Sequence, residues 1–242
     1  MPRARWAMRW RAPWHGFGRM GTPEITVIAA TRLEVWAVRR ALRCGRIIEA
    51  GVGLRRLRVT DLGEAVVSCG LAGAVRPGLP TGSVVIPKRV LRIDGEWLTC
   101  DPPLVDALVG AARELGLEPE LGAMGTAPAV VRGSAREAWA ERGCAAVDME
   151  TGLLTAPRIA AVRVVLDTPE RDLSEVWRRP ASVFVRPDSW REALWLLREA
   201  PHCAARAAAV VAAGLRSYAR APGAAGGTAP AAGVRRGDRH GG

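Results

Sequence analysis

Four acids set on or beside apolar segments are the residues of this chain best suited to chemistry. Asp148 and Glu150 follow Cys144-Ala145-Ala146-Val147, and Asp167 closes Ala161-Val162-Arg163-Val164-Val165-Leu166. Glu34 comes just after the apolar run 25–30. A carboxylate at the end of a buried strand is costly to desolvate. In open α/β sheets that end of a strand is where ligands bind, so two such acids close in sequence point to one site with two roles. Other catalytic chemistries lack material. Of three histidines, His15 and His240 lie in the tails, and His202, beside Pro201, reads as a helix-end residue. A Ser-His-Asp triad, a Cys-His pair or a multi-histidine metal site cannot be assembled from these, and no metal is expected. Carboxylate pairs do cleave glycosidic bonds unaided, and a carboxyl in an apolar pocket can donate a proton near neutral pH. Asp167 is placed for that. Because Thr168-Pro169-Glu170 follows, spacing alone leaves it equally an N-cap.

The elements that must carry these acids follow from periodicity and turn residues. Residues 24–30 read as a first buried strand. Thr31 caps a helix over 32–43, with Leu33, Trp36, Val38 and Leu42 apolar. Residues 47–48 and 57–59 are short strand candidates, 64–69 is a further strand, and 82–87 and 89–93 follow. Asp101-Pro102-Pro103 opens a helix that Gly116 stops. Residues 121–131 are extended, Ser134 caps a short helix to Arg142, and strands follow at 144–149 and 159–166. Asp188-Ser189 starts a long helix, broken near Pro201 and resumed to Tyr218. Gly51-Val52-Gly53 and Gly70-Leu71-Ala72-Gly73 each follow a strand candidate and read as turns able to bring backbone N–H groups to a phosphate or sugar. Neither is a G-x-G-x-x-G or P-loop pattern, and tight turns without a ligand fit them as well. Strands alternating with helices give an α/β domain with a mixed sheet.

The 242 residues, 49% of them apolar, suffice for one domain with a sizeable core. The net charge of +11 sits mostly at the ends. Residues 1–22 hold five arginines and no acid, and residues 219–242 hold Arg220, Arg235, Arg236 and Arg239 against Asp238. A nucleic-acid-binding domain would place its basic stripe on a folded face, so no nucleic acid is expected as partner. Lys88 is the sole lysine, and Asn and Gln are absent; a GC-rich genome produces that bias and inflates arginine without functional cause. The expected organisation is a basic Trp/Arg-rich extension over 1–22, a catalytic domain over 23–218 and a disordered Ala/Gly/Pro/Arg tail over 219–242. Cys44, Cys69, Cys100, Cys144 and Cys203 form no C-x-x-C pair, which fits reduced, buried thiols and a cytoplasmic location. There is no membrane-spanning run and no secretory signal. Trp6, Trp10 and Trp14 among arginines suit peripheral contact with the inner face of the membrane; an over-extended start, with Met20 the natural first residue, explains them as well.

Four pieces of the chain, spread in order over about 24–170, carry a likeness when taken together. They are Ile28-Ala29-Ala30-Thr31-Arg32-Leu33-Glu34-Val35; Gly51-Val52-Gly53; Cys69-Gly70-Leu71-Ala72-Gly73-Ala74 with Thr81-Gly82-Ser83-Val84-Val85-Ile86-Pro87; and Val147-Asp148-Met149-Glu150-Thr151 with Val162-Arg163-Val164-Val165-Leu166-Asp167. In them the chain resembles the nucleoside phosphorylase and nucleosidase superfamily, which includes the methylthioadenosine/S-adenosylhomocysteine nucleosidases. Its small size, the Val-Asp-Met-Glu-Thr form and Asp167-Thr168-Pro169 before a C-terminal helical segment are most similar to the hopanoid-associated phosphorylases, short members held to remove adenine from adenosylhopane.

The resemblance implies a three-layer α/β/α fold with a central mixed sheet. It implies that Met149 and Glu150 hold the ribose and that Asp167 protonates purine N7. Glu34 would position the attacking water, and Gly53, Gly70, Ala72 and Gly73 would line the nucleophile side. Val130 or Val131 would lie against the base. The oxocarbenium-like transition state would draw on a nearby carboxylate. The implied substrate is an adenine nucleoside, either lipid-linked adenosylhopane or a soluble one such as methylthioadenosine, S-adenosylhomocysteine or futalosine; a non-catalytic purine-nucleoside binder is the other reading. No cofactor is implied, apart from inorganic phosphate as co-substrate of a phosphorylase, and a homo-oligomer is. Trp177, Trp190, Leu194, Trp195 and Leu197 are candidates for an apolar entrance, though packing of the last helix also accounts for them. The chain departs from the family in three places. Met124-Gly125-Thr126-Ala127-Pro128 stands where nucleosidases carry Ser-Gly-Asp and an aromatic. Leu166 replaces the usual Ser. The link from Glu150 to Arg163 is short, which calls for a short helix ending at Ala156-Pro157.

Overall fold

Ten residues, Ala65–Ala74, form β3, the strand on which the sheet is assembled. The computed structural model describes residues 24–42, 45–173 and 188–221, and of 188–190 the backbone only. Along its first half β3 pairs in parallel with β1 (Ile25–Ala29) on one side, and along its whole length with β9 (Arg158–Asp167) on the other. Past the end of β1, the last residues of β3 pair with β8 (Cys144–Asp148), antiparallel, at Gly73 with Val147 and Ala74 with Ala146. β2 (Arg46–Glu49) extends the sheet beyond β1. β7 (Ala123–Thr126), β5 (Arg89–Leu91) and β6 (Trp97–Thr99) extend it beyond β8, and β4 (Val84–Val85) pairs with β9. This is the α/β fold with a mixed central sheet expected from the sequence.

Helices form where sequence and caps agree. Thr31 caps α1 (Arg32–Ala41) through a capping box with Glu34, and Arg39 and Arg40 sit in the last turn, where positive charge suits the helix dipole. Asp101 caps α2 (Pro102–Glu114) by accepting from the Leu104 N–H at 3.0 Å, and Gly116, at φ +73°, ends it. The Asp101 carboxylate also pairs with Arg158 at 2.9 Å, tying the start of β9 to that cap. α4 (Asp188–Arg220) crosses both α1 and α2, and its small buried residues Ala204, Ala207, Ala208 and Ala212 let the helices approach closely. Together these three helices cover one face of the sheet, burying Val27, Val67, Val162, Val164 and Met124.

Among the described residues the opposite face has thinner cover. α3 (Ala135–Glu141) lays Trp139 over Gly125 and Val147, and 3-10 turns at Val52–Leu54 and Thr151–Leu153 close the rest. Here the polar groups collect.

Several local expectations are corrected. Residues 70–73 are not a turn: β3 runs straight through them. Residues 57–59 form no strand, while β6 was not foreseen, because Trp97–Thr99 is too short to show periodicity. Ser134 stands before α3 but makes no side-chain cap bond. The segment joining β8 to β9 holds a single 3-10 turn rather than an α-helix. α4 is not broken at Pro201: the carbonyl that the proline leaves without a donor belongs to the turn of Leu197, which is 73% exposed and open to water, so tertiary packing carries the helix through. Of the tail expected to be disordered over 219–242, Ala219 and Arg220 instead close α4, both being good helix formers ahead of the breaker Pro222, while 1–22 and 222–242 lie outside the described residues.

The α2–α4 contact makes a direct prediction. A Cβ on Gly214 would lie 2.7 Å from Leu108 Cδ2 and 3.0 Å from its Cα. Gly214→Val is expected to force the helices apart and cost about 1–3 kcal/mol, the usual range for overpacking. Urea unfolding measures it, and a variant as stable as the parent would contradict this packing.

Candidate active site

On the thinly covered face, at the level where β9 and β3 place Arg163 beside Gly70, a guanidinium is buried to 1% exposure. β-strand alternation explains its direction: Val162 and Val164 point into the helix-side core, so Arg163 points to the other face. Its Nη2 lies 2.6 Å from Asp148 Oδ2, 3.4 Å from Glu150 Oε2, 2.7 Å from Ser68 Oγ and 3.0 Å from Thr151 Oγ1. Burial opposes the charge on Arg163, but Asp148, Glu150 and Glu34 more than offset it, and its pKa moves up. It is therefore a permanent cation among acids.

Asp148 serves that cation as a structural counter-ion. Its Oδ1 accepts from Thr126 Oγ1 at 2.7 Å, its Oδ2 from the Thr151 N–H at 3.0 Å, and the Thr151 hydroxyl bonds to it as well. Glu150 is held differently. One oxygen accepts from the Gly53 N–H at 3.0 Å, and the other faces Arg163. Burial pushes its pKa above the usual carboxylate range, with Arg163 pulling the other way. Gly53 adopts φ +62° in the 3-10 turn that presents this N–H, a conformation suited to glycine.

Glu34 is buried at the N-terminus of α1 and works twice. Oε2 accepts from the Thr31 N–H and hydroxyl, both at 2.8 Å, completing the capping box, while Oε1 accepts from the Leu71 N–H of β3 at 2.9 Å. That second bond explains Gly70. A Cβ there would lie 2.4 Å from Glu34 Oε1 and 2.5 Å from Arg163 Nη1, so only glycine lets both charged groups lie flat on the strand.

Asp167 sits further along the same strand. Between Ala72 and Gly73 the β3–β9 register slips, passing over Leu166, and Asp167 comes to lie beside Gly73. Bulges of this kind re-aim side chains near active sites. A Cβ on Gly73 would be 2.8 Å from Asp167 Oδ2, so this glycine too makes room for an acid. Burial raises the pKa of Asp167, opposed by Arg136 of α3, whose Nη2 is 2.5 Å from Oδ2. Arg136 is itself 2% exposed, donates to the Ala74 carbonyl, and is shared with Asp172. Asp167 is thus a buried, ion-paired acid, and not the cap of a following helix.

The structure brings Glu34, Glu150, Gly53 and Gly70 to one place and sets Asp167 with Gly73 three residues along β3, about 10 Å at strand rise. Met149 is half-buried between Asp148 and Glu150. Ala72 turns away into the helix-side core. Val131 packs with Val75, Leu91, Ala127 and Val147, while Val130 is 44% exposed. Of the residues considered for an apolar entrance, Leu194 and Leu197 are exposed, and Trp195 is partly buried with Arg171 stacked 4.4 Å over its ring. Trp177 and the side chain of Trp190 lie outside the described residues. Cys69 and Cys100 are buried, and burial pushes both thiols up to about 12, so neither is a nucleophile near neutral pH. Sequence reasoning missed Arg163 as the hub, Ser68 and Thr151 as its hydroxyl partners, and the Arg136–Asp172 pair. A lone charge inside an apolar strand was the available signal for Arg163. Arg136, on a short polar helix, gave none.

The phosphorylase superfamily model matches residues 14–156. No curated protein matches the chain in sequence. Among solved structures, an S-adenosylhomocysteine nucleosidase from Streptococcus pyogenes, in complex with 5-methylthiotubericidin, superposes with a TM-score of 0.64 at 19% identity, covering 82% of this chain and 98% of that one. A 5′-methylthioadenosine/S-adenosylhomocysteine nucleosidase from Neisseria meningitidis, with methylthio-immucillin-A, gives 0.59 at 19% identity over 80% and 98%. A futalosine hydrolase from Helicobacter pylori gives 0.58 at 11% identity over 79% and 98%. At these identities the superpositions establish a common fold.

Removing the hub tests the account of the site. Arg163→Met leaves Asp148 and Glu150 buried without their cation, and breaking a buried ion pair from one side costs about 3–5 kcal/mol. Denaturant unfolding is expected to show a loss of that size; a loss near zero would mean that the acids find other compensation.

Proposed function

The chain belongs to the phosphorylase superfamily, and on that premise we propose that it cleaves the N-glycosidic bond of a purine nucleoside with water as nucleophile. One observation carries the reading: two buried acids of different character are held against β3, Glu150 on the guanidinium of Arg163 opposite Gly70, and Asp167 beside Gly73, three residues or about 10 Å further along the strand. Glu150 accepts hydrogen bonds from the ribose hydroxyls, next to Met149. The Asp167 carboxyl gives its proton to a ring nitrogen of the base as the C1′–N bond breaks, and the bonding pair leaves with the base. The sugar passes through an oxocarbenium-like state that Glu34 and Glu150 stabilise. The oxygen of water then bonds to C1′, and its proton goes to Glu34. Base and free sugar leave, and solvent returns Asp167 and Glu34 to their starting protonation states.

Water is favoured over phosphate by the way Glu34 fills its corner. The Leu71 N–H, a donor that could cradle an anion, is already taken by Glu34 Oε1. A phosphate dianion there would face Glu34, Asp148 and Glu150, with Arg163 the cation set among them in the described residues. For the substrate, the nucleosidases and futalosine hydrolase of the same fold support an adenine nucleoside or a related purine nucleoside. The finer reading is lipid-linked adenosylhopane, resting on the Val147–Thr151 motif and the short chain with its C-terminal helix.

The test is release of free base, followed by chromatography, from adenosylhopane, methylthioadenosine, S-adenosylhomocysteine and futalosine, with and without phosphate. Base release at a rate independent of phosphate, fastest on the lipid-linked substrate, is expected. A sugar 1-phosphate product would overturn the choice of nucleophile, and binding without release from any substrate would leave a nucleoside-binding protein. Asp167→Asn is expected to slow release by about 10²–10⁴-fold, the range for a general acid. The pH dependence has a definite sign. Asp167 acts in its protonated form and its pKa is raised by burial. Activity therefore persists above the usual carboxylate range and falls as pH rises through the raised value.

A further inference from the structure

Asp167 is not a free acid facing a cavity. Its Oδ2 is 2.5 Å from Arg136 Nη2, and Arg136 is anchored by further bonds to two other groups. Its Nε donates to Asp172 Oδ1 at 2.8 Å, its Nη2 lies 2.5 Å from the same oxygen, and its Nη1 donates to the Ala74 carbonyl of β3. Asp172 is fixed in turn by the Gly133 N–H at 2.8 Å, so the turn after β9 and the loop before α3 are tied through one carboxylate. Gly73 leaves the Asp167 carboxyl lying against β3.

We propose that Arg136, held by Asp172, is a positioning residue for base departure: it fixes Asp167 through Oδ2 and leaves Oδ1 to meet the leaving base. This rests on the nucleosidase reading of the same site. Two carboxylates share the one guanidinium, and that sharing gives the arrangement its function. While Asp167 is ionised, Arg136 serves both acids. When Asp167 takes up the proton it will donate, Arg136 keeps Asp172 as counter-ion, so no buried cation is left unpaired. When Asp167 has given its proton to the base, Arg136 is already in place to receive the new carboxylate. The protonation cycle therefore proceeds without rearrangement of the ion pair.

The charged groups bearing on Asp167 among the described residues are Arg136 from α3 and Asp172 from the turn after β9; β3 presents only Gly73 and the Ala74 carbonyl. Arg136 lowers the Asp167 pKa and Asp172 raises it. The two variants must then act in opposite senses. In Arg136→Met the alkaline limb of kcat/KM is expected to move to higher pH. In Asp172→Asn the undivided Arg136 acts on Asp167 alone, and the limb moves to lower pH. Arg136→Met should also lower kcat by at least about tenfold with KM changed by less than about threefold, since alignment and not binding is lost. Arg136→Lys, which keeps the charge but not the fork, should restore the position of the limb without restoring kcat.

The experiment is the pH profile of the full-length protein and the three variants, together with carbon-13 NMR titration of the Asp167 carboxyl, assigned with Asp167→Asn. Asp172 is half-exposed, so Asp172→Asn keeps the comparison open should Arg136→Met fail to fold. Opposed shifts of the Asp167 titration establish the proposal. Shifts of the same sign, or none, overturn it. If the parent protein releases no base, the nucleosidase reading fails by itself, and the NMR titration still decides whether Arg136 and Asp172 govern Asp167.

Discussion

The Arg163 guanidinium is the constraint on which the rest of the site depends. Asp148 and Glu150 are both buried, with Glu34 near enough to add to their field, and burying such a group of acids together is costly unless a cation sits among them. Arg163 supplies it from the middle of a strand, where backbone pairing on both sides fixes its Cα. Arg is suited to the task because several acceptors converge on its planar fork, which cannot deprotonate. Two hydroxyls, Ser68 and Thr151, complete the shell. The arrangement costs stability, and the layer of α1, α2 and α4 on the other face offsets it. There Val67, Val162, Val164 and Leu108 are fully buried, each contributing roughly 1.5–3 kcal/mol. One face of the sheet thus stabilises the protein so that the other can hold charge.

Glycine is what lets the two acids lie on β3. At Gly70 and Gly73 the backbone is ordinary strand, without positive φ, so conformational freedom is not the reason for glycine. Space is the reason. A side chain at Gly70 would displace Glu34 and Arg163, and one at Gly73 would displace Asp167. The sequence shows the glycines clearly but does not distinguish a turn from a strand with charged groups resting on it, since both need the same residue. Reading 70–73 as a turn was the natural error.

The strands β1, β3, β8 and β9, the caps at Thr31 and Asp101 and the four acids were all legible in the sequence, because each rests on local pattern or on a costly residue in an apolar run. What was not legible depends on pairs distant along the chain. Arg136 reaches Asp167 across thirty-one positions, and Arg163 reaches Ser68 across ninety-five. Neither pairing leaves a periodic trace. The same holds for Pro201, where local chemistry argues for a break and the packing of α4 on α1 and α2 overrides it.

The short link between Glu150 and Arg163 departs from the family pattern in sequence, and the topology accounts for it. β8 runs antiparallel to β3, so the chain leaving Asp148 travels back along β3 and not past its end. By Thr151 it has reached Ser68, with the two hydroxyls 3.1 Å apart. β9 must begin beside Ala65, only three residues further along the same strand. A 3-10 turn pinned by Arg92 to the Gly152 and Leu154 carbonyls, with Leu154 fully buried, covers that distance, and a helix there would overshoot it. Glu150 and Asp167 therefore owe their separation not to the linker but to β3, which holds one through Arg163 beside Gly70 and the other beside Gly73. Shortening the segment between them leaves the spacing of the two acids along β3 unchanged.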